Sequence, residues 1–274
     1  MIIWLASYPK SGNTWVRLFL NTLFYTNNKL DINNIKIQQF PNKKHYKNIL
    51  NNFGDLKEVI KNSLNAQYAI NLDNKIKFLK THSACWKSKE GNFTNTDNTL
   101  GVIHIVRDPR NVITSVKNHF GKKNYESALK FMQDEKKFLG SENYDEENDV
   151  PTLISSWSNN YKSWRKFEKN YFLIKYEDLL VDPKKEFMKL INYLKSFINL
   201  EFDEIKIEKI IEDCNFENLK NQENIKGFLE ASKDTDQNFF YLGPKNNWEN
   251  ILNSNIREKI EDIFKDEMKE LNYL

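Results

Sequence analysis

The 274-residue sequence has little cysteine, little histidine and almost no excess of charge. Its two cysteines, Cys85 and Cys214, are too few for a disulfide framework. With only four histidines beside them, they also do not form the paired ligand spacing of a zinc site, so we expect no metal. The 41 basic and 38 acidic residues leave a net charge of +3, which argues against a protein that coats nucleic acid.

Long apolar runs and flexible linkers are missing as well. No stretch approaches the roughly 18 consecutive apolar residues of a membrane span. The first residues, MIIWLASYPKSG, lack the basic region that opens a signal peptide. We therefore expect a cytoplasmic protein that does not interact with a membrane. Because no linker rich in Gly, Ser or Pro separates two patterns, we expect one domain over residues 1–274.

What is present is an alternation of strand and helix patterns. Short, almost continuous apolar runs predict buried parallel strands at Ile2–Ser7, Ile76–Lys80, Val102–Val106 and Phe172–Lys175. Apolar residues at helical spacing predict helices at Asn13–Tyr25, Arg110–Phe120, Ser155–Glu168, Pro183–Ile198 and Ser254–Leu271. This order predicts an α/β fold, a single domain with a central, mainly parallel sheet flanked by helices.

Three polar segments interrupt these elements and are expected to be irregular. They are Ser83–Thr99, Gly121–Val150 and Gln222–Asn238, the last with some helical turns. We expect such segments to overhang the carboxyl ends of the strands, where open α/β sheets bind ligands.

The segment Tyr8–Trp15, YPKSGNTW, connects the first predicted strand to the first helix. Gly12 allows a tight turn, and successive N–H groups at a helix N-terminus attract an anion. Lys10 adds a positive charge, and Ser11, Asn13 and Thr14 add short hydrogen-bonding side chains. A capped helix start with a solvated lysine is the alternative interpretation. The strict pattern G-x-x-x-x-G-K-[ST] is absent, because Lys10 precedes the glycine, and this counts against an ordinary P-loop kinase or NTPase.

YPKSGNTW resembles YPKSGTTW, the 5′-phosphosulfate loop of the sulfotransferases that use 3′-phosphoadenosine 5′-phosphosulfate (PAPS). Further segments resemble that family in the same order along the chain. Lys80-Thr81-His82 is similar to its catalytic K-T-H, and Val106–Ser115 is similar to VRNPKDVxxS, which holds the 3′-phosphate. Tyr176–Leu179 matches YEDL, and Asn215–Lys220 resembles SFxxMK. The resemblance implies the P-loop-like sulfotransferase fold across nearly the whole chain.

The C-terminal loop departs from the family pattern. The family has RKGxxGDW, whose basic pair lies near the 3′-phosphate, and this chain has YLGPKNNW at residues 241–248. Gly243 and Trp248 remain, whereas Tyr241 and Leu242 replace the basic pair. Whether Lys245, at a different position, substitutes for the pair stays open on the sequence alone. The family's dimer contact follows this tryptophan, and here Glu249 stands where a lysine is usual. A homodimer stays open as an alternative.

The resemblance implies roles for particular residues, with PAPS as co-substrate and no metal. The implied cofactor-binding residues are Lys10, Ser11, Gly12, Asn13, Thr14, Trp15, Arg107, Ser115, Tyr176, Phe216 and Gly243. Lys10, Lys80 and His82 are the candidate catalytic residues. A lysine near the leaving oxygen stabilises the charge that develops there. His82 is the candidate general base, since its ordinary pKa lies near physiological pH. Lys80 lies two residues earlier, on the same face of an extended strand end.

Two other functions stay open on the sequence alone. One is a nucleotide kinase-like enzyme with a degenerate P-loop, for which Asp178 is the available magnesium ligand. The other is a non-catalytic protein that binds adenosine bisphosphate. The acceptor is expected to be a small molecule with a hydroxyl or an amine. Aromatic residues of the loops favour an apolar acceptor; they are Trp86, Phe93, Phe131 and Tyr144. Lysines of the same loops favour an anionic or sugar acceptor; they are Lys87, Lys89, Lys122 and Lys123.

Overall fold

The computed structural model describes residues 1–140, 150–167, 170–199, 201, 203–231 and 237–274. The chain forms two compact units. The first consists of Met1–Pro9, Ile37–Ile105 and Phe131–Leu173, and the second of Lys10–Lys36, Val106–Lys130 and Ile174–Leu274. Among the helices of the described residues, none is both long and apolar enough to cross a membrane.

The strands belong to the first unit, apart from the last residue of β4 and the last two of β7. Their bounds are β1 (Ile2–Ser7), β2 (Gln38–Gln39), β3 (Lys77–Thr81), β4 (Thr99–Val106), β5 (Phe138–Leu139), β6 (Thr152–Leu153) and β7 (Tyr171–Lys175). Five strands form the central sheet in the order β2-β3-β1-β4-β7. β1 pairs in parallel with β3 and β4, and β2 pairs in parallel with β3. β5 and β6 form a short antiparallel pair.

The helices, in chain order, have the following bounds: α1 (Asn13–Tyr25), α2 (Lys43–Tyr46), α3 (Leu56–Lys61), α4 (Ser63–Asn71), α5 (Pro109–His119), α6 (Tyr125–Gln133), α7 (Trp157–Trp164), α8 (Tyr176–Val181), α9 (Pro183–Leu194), α10 (Glu204–Asp213), α11 (Phe216–Lys226), α12 (Trp248–Ile251), α13 (Ser254–Ile263) and α14 (Lys265–Glu270). A 3-10 helix spans Gly243–Lys245. α2, α3, α4 and α7 belong to the first unit, and α6 begins in the second unit and ends in the first.

An aromatic cluster around Trp4 forms the core of the first unit. All six residues of β1 are buried, as its continuous apolar sequence predicts for a central strand. The Trp4 ring lies 5.5 Å from that of Phe40, 5.2 Å from that of Phe93 and 6.2 Å from that of Trp164 on α7. Its Nε1 donates to Thr99 Oγ1 at 3.0 Å, so the buried indole N–H has a partner.

In the second unit, α5 begins at a sharp, well-capped N-terminus directly after β4. The Asp108 side chain accepts from the backbone N–H of Arg110 at 2.8 Å, and Pro109 occupies the first helical turn. The apolar stripe of Val112, Ile113 and Val116 is buried. Arg107 stands between the end of β4 at Val106 and the Asp108 cap of this helix.

The predicted α/β class and its parallel sheet are confirmed, and several bounds differ. All four predicted strands are present, although β4 begins at Thr99 rather than Val102. α1 has the predicted bounds, α7 is shorter than predicted, α9 ends at Leu194, and the predicted C-terminal helix divides at Phe264. Glu168, the predicted end of the helix that corresponds to α7, lies outside the described residues.

The prediction of irregular structure was only partly right. Ser83–Thr99 contains no helix and only a single β-bridge, between Lys87 and Asn92, before β4 starts. The prediction is wrong for Gly121–Val150, because α6 and β5 lie within it; residues 141–149 are outside the described part. In the third segment, α11 continues to Lys226, and residues 232–236 are outside the described part.

Candidate active site

In the first unit, the candidate base His82 directly follows β3 and is held by the end of β1. Its Nδ1 lies 3.0 Å from the Ser7 carbonyl oxygen and 3.1 Å from Ser7 Oγ. Because a carbonyl oxygen only accepts, Nδ1 donates to it, and the neutral ring keeps its lone pair on Nε2. Asn160 Nδ2 donates to the His82 carbonyl oxygen at 3.0 Å, which fixes the backbone from the other side. The arrangement therefore orients a basic nitrogen.

Lys80 lies on β3 two residues before His82 and is 8 % exposed. It pairs across the sheet with Leu5 of β1. A lysine is seldom so deeply buried, because removing its ammonium group from water is costly. A buried cation at the carboxyl end of a parallel strand is suited to contacts with an anionic ligand.

In the second unit, the loop before α1 has a strained backbone. Lys10 has φ 67° and Gly12 has φ 96°, both in the region that L side chains rarely adopt. A Cβ atom on Gly12 would lie 2.4 Å from Cδ2 of Tyr176, so only glycine fits there. No side chain caps the N-terminus of α1. The uncapped helix start and the strained lysine are features of an anion-binding loop.

In the second unit, three buried donors around this loop have no hydrogen-bond partner among the described residues. They are Ser11 Oγ, Trp15 Nε1 and Arg107 Nε. Buried polar groups are nearly always paired, because an unpaired donor costs about 1–3 kcal/mol. A cluster of unpaired donors next to a helix N-terminus indicates a ligand that completes them. Asn13 and Thr14, at the start of α1, are also buried.

Arg107 extends from the end of β4 over an aromatic ring. Its Cζ lies 4.1 Å from the centroid of the Tyr176 ring, and its Nη1 donates to the Lys10 carbonyl oxygen at 3.3 Å. The Trp15 ring meets the Tyr176 ring edge-on, with centroids 6.0 Å apart. The guanidinium is thus held by a ring face and a backbone carbonyl, which leaves its charge for another group.

Glu177 is half-buried near Arg107, and its two oxygens accept hydrogen bonds from neutral donors. Oε1 accepts from the Asp108 backbone N–H at 3.0 Å, and Oε2 accepts from the Tyr273 hydroxyl at 2.8 Å. Burial raises the pKa of Glu177 above its ordinary value, and these two hydrogen bonds and the charge of Arg107 oppose that rise. The same burial raises the pKa of Tyr273.

Ser115 lies on α5, and a loop from much later in the sequence covers it. Asn246 Nδ2 donates to Ser115 Oγ at 3.2 Å and to the Asn111 carbonyl oxygen at 2.9 Å. The Trp248 backbone N–H donates to Asn111 Oδ1 at 2.9 Å. Gly243 has φ 52°, and a Cβ atom there would lie 2.4 Å from the Phe216 ring. Lys245, the suggested substitute for a basic pair, is exposed.

The Lys10 ammonium group contacts an aromatic ring of the same unit. Its Nζ lies 3.8 Å from the centroid of the Phe239 ring. The buried Glu223 carboxylate accepts from the backbone N–H groups of Phe239 and Phe240, at 2.6 and 2.8 Å. These two bonds hold the segment that carries Phe239.

A small apolar cavity lies in the first unit. Its lining includes Phe40, Tyr46, Trp86 and Phe93, and also Ser83, which directly follows His82. None of the described residues that line it carries a charge. The aromatic residues named from sequence are thus divided: Trp86 and Phe93 line this cavity and Phe131 does not, while Tyr144 lies outside the described residues.

A family model of the sulfotransferase domain matches residues 2–272. The chain belongs to the sulfotransferase family. Curated relatives agree with this: rat (Rattus norvegicus) sulfotransferase 1E1 is 25% identical over 97% of this chain and 82% of its own length. Flavonol 4′-sulfotransferase of Flaveria chlorifolia is 25% identical over 97% of this chain and 78% of its own length.

Solved structures have the same fold. Mouse sulfotransferase SULT7A1, complexed with PAP, superimposes with a TM-score of 0.62 and 19% identity, over 97% of this chain and 84% of that one. Retinol dehydratase, in a complex with retinol and PAP, gives a TM-score of 0.58 and 18% identity, over 98% of this chain and 81% of that one.

The structure divides this sulfotransferase's predicted site residues between the two units. Lys80 and His82 belong to the first unit, and all the predicted cofactor-binding residues, Lys10 included, belong to the second. Within the second unit, Arg107 contacts Lys10 and Tyr176, and Trp15 contacts Tyr176. In the described part of the chain, no group of three or more His, Cys, Asp or Glu side chains could hold a metal ion.

Residues that contact these side chains were not found from sequence. Ser7 orients His82, Glu223 holds the segment of Phe239, and Asn246 binds Ser115. Ser7 had a signal, since it ends a predicted strand next to β3. Glu223 and Asn246 had none, because their partners are distant in sequence.

Proposed function

We propose that this sulfotransferase transfers a sulfuryl group from PAPS to a hydroxyl of a small, largely apolar acceptor. The observation that carries the proposal is the cluster of unpaired buried donors, Ser11 Oγ, Trp15 Nε1 and Arg107 Nε, around a strained loop. Solved structures of the same fold hold PAP, which is PAPS without its sulfuryl group, and this supports the choice of nucleotide.

The residues of the second unit fit a nucleotide with two separate phosphate positions. The loop with Lys10 and Ser11, at the start of α1, supplies donors for the 5′-phosphosulfate. Arg107 and Ser115 supply a guanidinium and a hydroxyl for the 3′-phosphate, and an arginine fork matches a phosphate well. The rings of Trp15, Tyr176 and Phe216 offer apolar surface for the adenine. PAPS supplies an activated sulfuryl group, whose bond to the 5′-phosphate oxygen breaks as the bond to the acceptor oxygen forms.

Lys10 is proposed to stabilise the charge that develops on the leaving oxygen. In the structure, its ammonium group lies on the Phe239 ring, with Nζ 3.8 Å from the ring centroid. A charge-assisted contact with an anionic oxygen is stronger than such a cation–π contact. Stabilisation that grows with the charge on the leaving group speeds the chemical step itself.

His82 is proposed to accept the proton of the acceptor hydroxyl through Nε2. The Ser7 carbonyl oxygen holds Nδ1–H, so the tautomer with a basic Nε2 is the one that fits this position. The same bond stabilises the imidazolium ion that forms, as the orienting partner of a catalytic histidine does. Lys80 is proposed to attract the sulfonate oxygens from the same end of β3.

The apolar cavity supports an uncharged acceptor such as a phenol or an aliphatic alcohol. Aromatic rings line it, and Ser83 on its wall is the neighbour of His82 in the chain. An anionic acceptor would lose its hydration there without gaining an ion pair, which is costly. The proposal therefore favours apolar acceptors over anionic or sugar acceptors.

Thermal unfolding with two nucleotides tests the proposed co-substrate. PAP should raise the melting temperature well above the effect of ATP with magnesium at equal concentration. A ligand that binds only the native state at 100 times its Kd stabilises by about 2.7 kcal/mol. Equal shifts with both nucleotides would contradict the proposal and favour a kinase-like protein. Incubation with PAPS and a mixed library of hydroxyl compounds, followed by mass spectrometry for sulfated products, then separates an enzyme from a binding protein.

Arg107→Lys serves as the matched variant for the 3′-phosphate. It keeps the positive charge but loses the fork and the planar contact with Tyr176. We expect PAP binding to weaken while 5′-AMP binding changes little, as measured by isothermal titration. If both nucleotides lose affinity equally, Arg107 does not contact the 3′-phosphate.

A further inference from the structure

Asn246 is a buried residue whose amide group joins the C-terminal loop to α5. It is 5 % exposed, and its Nδ2 uses both hydrogens, one on the Asn111 carbonyl oxygen and one on Ser115 Oγ. In the family segment RKGxxGDW, the corresponding position is a glycine, so this side chain is an addition of the present sequence. Because it donates to Ser115 Oγ, Asn246 affects the direction in which the Ser115 hydroxyl can donate.

A serine inside a helix commonly donates its hydroxyl hydrogen to the carbonyl oxygen four residues earlier. For Ser115 that residue is Asn111, on the preceding turn of α5. A carbonyl oxygen has two lone pairs, and the helix itself uses one of them. Asn246 Nδ2 takes the other at 2.9 Å. The usual acceptor of the Ser115 hydroxyl is therefore occupied.

The second hydrogen of Nδ2 acts on Ser115 itself. Because Nδ2 only donates, Ser115 Oγ accepts from it, and the hydroxyl hydrogen must lie in another direction. The Asn246 amide thus occupies the Asn111 carbonyl oxygen and also donates to Ser115 Oγ. The Ser115 hydroxyl hydrogen is therefore available to a partner other than the helix backbone.

We propose that Asn246 is a positioning residue that directs the Ser115 hydroxyl toward the 3′-phosphate of the nucleotide. This inference rests on the proposed function, since it needs PAPS to be the co-substrate. It explains how the site holds this phosphate although the family's basic pair is replaced by Tyr241 and Leu242. An oriented neutral donor supplements the single arginine, Arg107.

The two nearby basic residues in the sequence, Arg110 and Lys245, are poorly suited to hold the 3′-phosphate, so an additional neutral donor is useful there. Arg110, the next arginine along the chain, has its guanidinium engaged by the Asp108 carboxylate at 2.7 Å and by Glu261 at 2.7 Å. Lys245 is exposed, so water and salt screen its attraction to a phosphate. A hydrogen bond to a charged group contributes more than one to a neutral group, and the contribution depends on orientation.

Isothermal titration of the full chain with PAP and with 5′-AMP tests the proposal. In Asn246→Ala, Ser115 can donate back to Asn111, so PAP affinity should fall by about tenfold to a hundredfold, the effect of one hydrogen bond to a charged group. Binding of 5′-AMP, which has no 3′-phosphate, should stay within about twofold. Asn246→Asp keeps the side-chain volume but cannot donate, and it should weaken PAP at least as much.

A double-mutant cycle shows whether Asn246 acts through Ser115. In the Ser115→Ala background, Asn246→Ala should have almost no further effect on PAP affinity. Asn247→Ala is the matched control, because Asn247 caps α12 by accepting from the Glu249 backbone N–H at 3.0 Å and lies beside Asn246. This control should lower the melting temperature without changing the ratio of PAP to 5′-AMP affinity.

The outcomes are distinguishable. If wild-type protein binds PAP no better than 5′-AMP, the proposed 3′-phosphate site is wrong, and the role of Asn246 is overturned with it. If the wild type prefers PAP but Asn246→Ala weakens both nucleotides equally, the inference alone is overturned and Asn246 is structural. The same holds if its effect persists in full in the Ser115→Ala background. A selective loss that disappears in that background supports the inference.

Discussion

Replacement of Gly12 by alanine is expected to damage the proposed nucleotide-binding surface in two separable ways. The first is backbone strain, because φ at Gly12 is 96° and an L residue there costs about 1–2 kcal/mol. The second is a collision, because the new Cβ atom would lie 2.4 Å from Cδ2 and 2.9 Å from Cε2 of Tyr176. Overpacking of this kind costs about 1–3 kcal/mol. The expected total loss is about 2–5 kcal/mol, the sum of these two ranges.

Urea unfolding of four proteins separates the two contributions. They are the wild type, Gly12→Ala, Tyr176→Ala and the double variant. Tyr176→Ala removes the ring atoms that the Cβ atom meets, so in this background Gly12→Ala should cost only the strain of about 1–2 kcal/mol. The coupling free energy between the two changes should therefore be about 1–3 kcal/mol.

Gly12→Ala should also weaken nucleotide binding. Displacement of the Tyr176 ring removes the surface on which the Arg107 guanidinium lies, 4.1 Å from the ring centroid. PAP binding by Gly12→Ala should weaken even at temperatures where the variant is folded. A cost for Gly12→Ala that is the same with and without the Tyr176 ring would refute the reasoning, since strain alone would then account for it.

Three further predictions concern single side chains. Lys10→Ala should lower kcat by about 10²–10³-fold, as loss of an oxyanion donor does, and should weaken PAP binding much less; a change in KM alone would show that Lys10 binds the ground state and the transition state equally. His82→Asn should lower kcat by about 10²–10⁴-fold with an aliphatic alcohol and less with a more acidic phenol, whereas Ser7→Ala, which keeps the carbonyl oxygen that holds Nδ1, should have a small effect. His104→Phe should make the free energy of unfolding less dependent on pH below 6.5, as measured by urea unfolding across a pH series.

The sign of this last effect follows from burial. Burial lowers the pKa of His104 from 6.5 to about 3, so the unfolded chain binds the proton more readily than the folded chain. The stability that the neutral ring contributes is complete above pH 6.5 and is lost as pH falls toward 3. At about 1.4 kcal/mol per pH unit, the loss should reach about 2 kcal/mol by pH 5. An unchanged slope in His104→Phe would assign the acid sensitivity to other groups.

The parts of the molecule that could be predicted from sequence are those whose causes are local. β1 is a continuous apolar run and α1 follows a glycine turn, so both have the predicted bounds. The loop between them was recognisable because its Lys, Ser and Gly stand within three residues. α6 was not predicted, because it lies within a segment that is polar as a whole. Its buried face consists of a few apolar residues, among them Ala128, Leu129 and Met132.

The contacts that orient the site residues have distant causes. Asn246 meets Ser115 across 131 positions of sequence, and His82 meets Ser7 across 75. Hydrophobic periodicity predicts elements, not the partner of one amide or one carbonyl group. The sequence therefore proposes candidate residues for the chemistry, and the fold determines in which direction their donors and lone pairs point.

The half-buried carboxyl of Glu177 shows that distant contacts also determine how charges pair. A carboxylate beside the only arginine proposed for the 3′-phosphate would normally form an ion pair with it and compete with the ligand. Here the Asp108 N–H and the Tyr273 hydroxyl each donate to one carboxyl oxygen, and burial raises the pKa of Glu177 above its ordinary value. Arg107 instead lies on the Tyr176 ring, with its Nε unpaired among the described residues. Two neutral donors, brought from the start of α5 and from the chain end, thus keep the guanidinium available for an anion.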